Sequence, residues 1–280
     1  MSSSSSSSSS EDENDGEVNN DFDEDQKMEP KNKKLKSGGA PLEIAPLEIA
    51  PRTSVLKSTT RHNAKVILLL DQATLETIKN RRGVYELLNC DDHRDLCRKK
   101  LHKDPNEFRP DILHQELLAL TDSPLNKAGL LQVYIQTQKK VLIEVHPSCR
   151  IPRTYKRFAG LMVQLLHKLK IKATGESTTL LKVIKNPISQ HLKPGTRCFG
   201  FSCEGTLYSP VSMAKTFFPA SMEDVKIPTC LVVGAMATGH VTIQDHPYIE
   251  KMLSISEYPL SGAAALSRIS SGIEYLWGIV

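Results

Sequence analysis

The chain has 280 residues, 39% of them hydrophobic, with 36 Lys and Arg against 32 Asp and Glu, enough for one large domain or two small ones with a sizeable core. The longest apolar runs, such as residues 66–70, are far too short to cross a bilayer, and Met followed by a serine run does not resemble a secretory signal, so no membrane contact is expected. The six cysteines form no C-x-x-C pair and sit beside no histidine cluster, which argues against a zinc site and for a soluble protein of a reducing compartment.

The small net charge hides an asymmetry. Residues 1–36 hold ten acids and five lysines, leaving 31 Lys and Arg against 22 Asp and Glu in the remainder. That excess predicts an anionic partner for the folded part, either nucleic acid or an acidic protein. Residues 1–60 read as a disordered tail, because poly-Ser, an acidic block, a lysine cluster at 31–36 and a tandem Pro-Leu-Glu-Ile-Ala offer no core-forming period. The lysine cluster is open to three readings: a nuclear localisation signal, a phosphate-binding arm or a solubilising patch. No clean linker interrupts residues 61–280, and one folded domain is expected there.

Residues 65–70 read as a buried strand, with Asp71 as the N-cap of a following helix. In Arg109-Pro110-Asp111 the proline stiffens the approach to a helix over 111–120. Asp111 is either the N-cap of that helix, worth about 1 kcal/mol, or a catalytic carboxylate. Ser123 to Gly129 reads as a turn into a strand over 130–135, followed by another over 141–145. Next comes the most basic stretch of the chain: Arg150, Arg153, Lys156 and Arg157 with Tyr155 and Phe158, all within nine residues. Guanidinium forks suit phosphate because they donate two parallel hydrogen bonds, so this segment is either an RNA-binding edge or a solvated basic loop. Phe158, Leu161, Met162, Leu165, Leu166 and Leu169 then form a helical stripe that ends beside a structural His167.

Further strands are expected over 180–184, 229–234 and 252–255, and a last helix from about Pro259 to Leu276. Proline suits a first helical turn, whose free N–H groups can receive a ligand carboxylate. Two loops leave these late strands, one over 234–241 with Gly234 and Gly239, the other over 254–261. Each is ordinary alone. Following adjacent strands, they point to a shared pocket, since ligands of open α/β sheets sit beyond the carboxyl ends of strands. No G-x-G-x-x-G, Walker or G-x-S-x-G pattern is present. Alternating strands and helices predict an α/β fold with a parallel component.

The runs SPLNKAGLLQVYI (123–135), VLIEVHPSCRIPRTYKRFAGLMVQLLHKL (141–169), LLKVIKNP (180–187), VVGAMATG (232–239) and SISEYPLS (254–261) resemble the eukaryotic ribosome-biogenesis methyltransferases of the SPOUT class, over about residues 62–280. Those enzymes methylate N1 of a pseudouridine in small-subunit ribosomal RNA. The resemblance implies a Rossmann-like sheet with a C-terminal trefoil knot, a homodimer, S-adenosyl-L-methionine as cofactor, and a nucleolar role in the nucleus alongside the small-subunit assembly machinery. Carried over by motif, cofactor contacts fall on Phe201, Gly234, Gly239, His240, Val241, Ile255, Ser256, Glu257, Tyr258, Pro259 and Leu260. RNA contacts fall on Arg109, Arg150, Arg153 and Arg157, with Asp111 beside the target base as its proton acceptor or as the holder of Arg109. Thr238 departs from the family, which often has a cation there. A non-catalytic pre-rRNA-binding assembly factor is the alternative function.

Overall fold

An eight-stranded sheet organises the chain, in the order β10-β8-β9-β1-β4-β5-β7-β6. The computed structural model describes residues 64–175 and 177–280, so the tail and its lysine cluster lie outside the described residues. β1 (Val66–Ala73) pairs in parallel with β4 (Leu131–Thr137) on one side and β9 (Thr229–Gly234) on the other. β8 (Cys198–Leu207) adds in parallel to β9, and β10 (Lys251–Ser254) in parallel to β8. Beyond β4 the sheet turns antiparallel through β5 (Leu142–Val145), β7 (Thr179–Ile184) and β6 (Lys170–Lys172). A separate hairpin, β2 (Thr77–Lys79) and β3 (Tyr85–Leu87), precedes a short helical turn, α1 (Arg94–Leu96).

The apolar runs of β1 and β9 arise because both faces of the central sheet are covered. Val66, Leu68 and Leu70 point into one buried cluster, Ile67 and Leu69 into the other, as a period of two requires. The first cluster is closed by α2 (Pro110–Asp122), α4 (Tyr155–Lys168), α5 (Pro210–Phe217) and α6 (Gly262–Trp277). Among the described residues the second is closed without a long helix, by residues such as Ile188, Val241 and Ile249. The β9–β10 connection therefore covers one face of the sheet. It also crosses β8, since β10 joins the far side of that strand, and the expected knot requires a crossing of this kind.

Several local expectations are overturned. Asp71 caps no helix: β1 continues through it to Ala73, and its buried carboxylate accepts a hydrogen bond from His246. Asp111 is not the N-cap of α2 either. Arg109 holds that position, Pro110 takes the first helical turn, and the Asp111 carboxylate reaches back to the Arg109 guanidinium. Residues 123–129 contain a short helix, α3 (Pro124–Lys127), capped by the Ser123 hydroxyl, which accepts from the Asn126 N–H. Pro259 lies in the loop before α6, which starts at Gly262 with Ser261 as its cap.

Candidate functional site

Two loops and a strand enclose a cavity of about 230 Å³ at the carboxyl ends of β9 and β10. The β9 loop contributes Gly234, Met236, Gly239, His240 and Val241, and the β10 loop contributes Ile255, Ser256, Tyr258, Pro259 and Leu260. Phe201, Ser202 and Cys203 of β8 form a wall, and Gly262 and Ala265 of α6 complete the lining. Gly239 has φ +90°, a conformation costly for any residue with a Cβ. The second loop holds its own shape: the Ser254 hydroxyl donates to Ser256 O at 3.0 Å, and Ser256 Oγ accepts from the Tyr258 N–H at 3.0 Å.

Among the described residues the lining contains no lysine or arginine, and its ionisable side chains are His240, Cys203 and Tyr258. His240 faces Glu204 at 3.7 Å. Apolar walls, serine hydroxyls and a glycine-shaped backbone suit an uncharged heterocycle, and a ligand cation would meet no fixed positive side chain. The cavity lacks a paired nucleophile and base, so its chemistry is to hold and orient a ligand.

The basic face is organised by α2. At its start Arg109 donates Nε–H and Nη2–H to the two carboxylate oxygens of Asp111 at 2.8 and 2.7 Å. That bidentate contact holds the Asp111 carboxyl below its usual range, with burial working in the opposite direction. One turn on, His114 Nε2 donates to Pro152 O at 2.7 Å, and its ring stacks on Phe158 with centroids 4.5 Å apart. His114 thereby pins the basic segment to α2. At the far end of α2, Asp122 accepts from Lys127 at 2.8 Å and from Arg153 at 2.9 Å. Lys127, Arg150, Arg153, Ser148 and Thr121 line a second cavity, of about 440 Å³. Arg150 and Arg157 are exposed.

The structure brings ten of the eleven expected cofactor-loop residues into one cavity; Glu257 is exposed and does not line it. Arg150 and Arg153 share the second cavity, whereas Arg109 and Asp111 pair with each other at the opposite end of α2. Residues that sequence reading missed include Met236, Ser202, Cys203 and Gly262, which also line the first cavity, and His114 and Asp122, which place the basic side chains. Asp122 stands directly before the recognised run at 123, a position that local pattern alone does not distinguish.

Comparison with known proteins agrees with this geometry. Residues 68–274 match the family described as EMG1/NEP1 methyltransferase. The chain is 50% identical over 218 residues to the mouse "Ribosomal RNA small subunit methyltransferase NEP1", covering 77% of this chain and 83% of that protein. It is 46% identical over 249 residues to the Candida albicans protein of the same name, covering 87% and 89%. The fold matches Archaeoglobus fulgidus Nep1, crystallised with S-adenosylhomocysteine, at a TM-score of 0.62 and 23% identity over 76% of this chain and 98% of that one. The described fold is thus that of the SPOUT class, and the chain belongs to the EMG1/NEP1 methyltransferase family.

Proposed function

We propose that this methyltransferase transfers the methyl group of S-adenosyl-L-methionine to N1 of a pseudouridine in small-subunit ribosomal RNA during 40S subunit biogenesis. The observation that carries the reading is the convergence of two loops on one cavity whose Gly262 abuts α2 at Glu116. That same helix bears Arg109 and Asp111 at its start and holds the basic segment through His114.

The cofactor supplies an electrophilic methyl group on a sulfonium. The chain's part is to align the two reactants and to exclude water, an orientation effect. Gly234, Gly239, His240 and Val241 face Ile255, Ser256, Tyr258, Pro259 and Leu260 across the cavity, with Phe201 at the side. Arg109, Arg150, Arg153 and Arg157 would clamp phosphates of the RNA and make binding salt-dependent, the target base being turned out of its stack. As the new N–C bond forms the sulfonium S–C bond would break, leaving S-adenosylhomocysteine, and the N1 proton would pass to bulk solvent. Asp111 is a poor acceptor for that proton, because Arg109 occupies both its oxygens and keeps it ionised through neutral pH. Its role is to hold Arg109. Asp111→Asn is therefore expected to lower kcat/KM for RNA roughly tenfold, the order of one charge-assisted hydrogen bond. The pH–rate profile should keep its shape. A lost acidic limb would instead identify Asp111 as the base.

The working unit in this proposal is a nucleolar homodimer, acting on pre-rRNA with the small-subunit assembly machinery. Tyr258 and Leu260, which line the cavity and stay exposed at its mouth, offer apolar surface for a second copy. Light scattering that finds a monomer at micromolar concentration would remove the dimer, and a tagged chain absent from the nucleolus would remove the location. For the reaction itself, labelled methyl transfer is measured on hairpins carrying pseudouridine, uridine or N1-methylpseudouridine, with incorporation expected into the first alone. RNA binding with no transfer to any hairpin would leave the chain an assembly factor without catalysis.

A further inference from the structure

We infer that His246 is a positioning residue for the cofactor cavity, acting as a buried latch that fixes the β9–β10 loop to β1. Residues 235–250 contain no regular helix or strand, yet they supply Met236, Gly239, His240 and Val241 to the cavity. Something must hold so long a connection in one shape, and Asp71 does so at two points. Its carbonyl accepts the Ala235 N–H at 2.7 Å where the loop begins. Its carboxylate Oδ2 takes His246 Nε2 at 2.8 Å near the loop's end. The other ring nitrogen, His246 Nδ1, meets the Tyr248 hydroxyl at 2.8 Å, so both edges of the imidazole are fixed.

Burial makes this contact selective. Asp71 and His246 side chains are 1% and 4% exposed, and removing one partner of such a pair strands a polar group away from water. The side chain of Asp71 points to the same face of the sheet as Ile67 and Leu69, where Val241 and Ile249 of the loop are packed. Hydrophobic contact presses the loop onto the sheet without fixing its register; the Asp71–His246–Tyr248 chain does fix it. None of the three side chains lines the cavity, so each acts on the ligand only through the loop's shape. This inference rests on the cavity being the cofactor site.

The test measures S-adenosylhomocysteine affinity by calorimetry, S-adenosyl-L-methionine and RNA kinetics, and amide exchange of residues 235–241. Wild type must bind the ligand; failure there overturns the cofactor reading, not the latch alone. His246→Ala is expected to weaken binding at least tenfold and to raise KM for S-adenosyl-L-methionine. The kcat at saturation and KM for RNA should stay within twofold, and exchange should quicken at 235–241 but not in β4 or β5. His246→Gln, which keeps a donor for Asp71, should recover part of the affinity. If His246→Ala does not fold, Tyr248→Phe carries the test, since it strands no charge; a roughly threefold loss is expected. Unchanged affinity and exchange in a folded variant overturns the latch.

Discussion

Replacing Gly239 by valine should lower S-adenosylhomocysteine affinity by roughly 5- to 150-fold, the range that about 1–3 kcal/mol of backbone strain implies, while RNA affinity stays within twofold. The backbone at Gly239 has φ +90°, and a β-branched side chain cannot hold that angle without cost. The loop must then reshape or bear the strain on every binding event. The converse change is Arg150→Ala with Arg153→Ala. Both side chains border the second cavity, and their removal should reduce the salt dependence of RNA binding by roughly 1.4 to 1.8 in log–log slope, about 0.7–0.9 for each phosphate no longer neutralised. Cofactor affinity should not move. Calorimetry and RNA titration at several salt concentrations read both effects. Two variants that damage the same step equally would show that the two cavities are one site.

The features legible in the sequence were those set by local pattern. The 229–234 strand was placed to the residue because it is apolar and ends in glycine, and the helical stripe from Phe158 marked α4. Asp71 was misread because a strand followed by aspartate is locally identical to a helix cap, and its true partner lies 175 residues away. Most of β8 went unseen for a related reason. Its Gly200 and Gly205 look like strand breakers, yet a Cβ at Gly205 would overlap the backbone of Leu253 in β10. Those glycines permit a close approach that only the folded sheet reveals. At the site, the loops were found through their motifs. His114 and Asp122, which position the basic segment, and His246, in the β9–β10 loop, were not, because each acts through a tertiary contact.

Glu116 should make the protein less stable as pH rises from about 4.5 to 8, and Glu116→Met should remove that dependence. The Glu116 side chain is fully buried on α2, neither carboxylate oxygen has a hydrogen-bond partner among the described residues, and burial pushes its pKa up to about 8. The sign follows from proton counting. Below the unfolded value of 4.5 both states are protonated and the group contributes nothing. Between 4.5 and 8 the folded state keeps a proton that the unfolded state has released, so stability falls with each unit of pH by about 1.4 kcal/mol. Above 8 both states are ionised, and the accumulated loss, several kcal/mol, stays constant. Denaturant titrations at about pH 5, 6.5 and 8 compare wild type with Glu116→Met, so that other titrating groups cancel; parallel stability curves would mean that Glu116 is solvated in the folded protein. A double-mutant cycle then asks what the contact does for the cavity. A Cβ on Gly262 would overlap the Glu116 carboxylate, so Gly262→Ala must displace either Glu116 or the start of α6. It should cost markedly more in the wild-type background than beside Glu116→Ala, because neighbours that share one space are not additive. Since Gly262 lines the cavity proposed to hold the cofactor, the same coupling should appear in S-adenosylhomocysteine affinity.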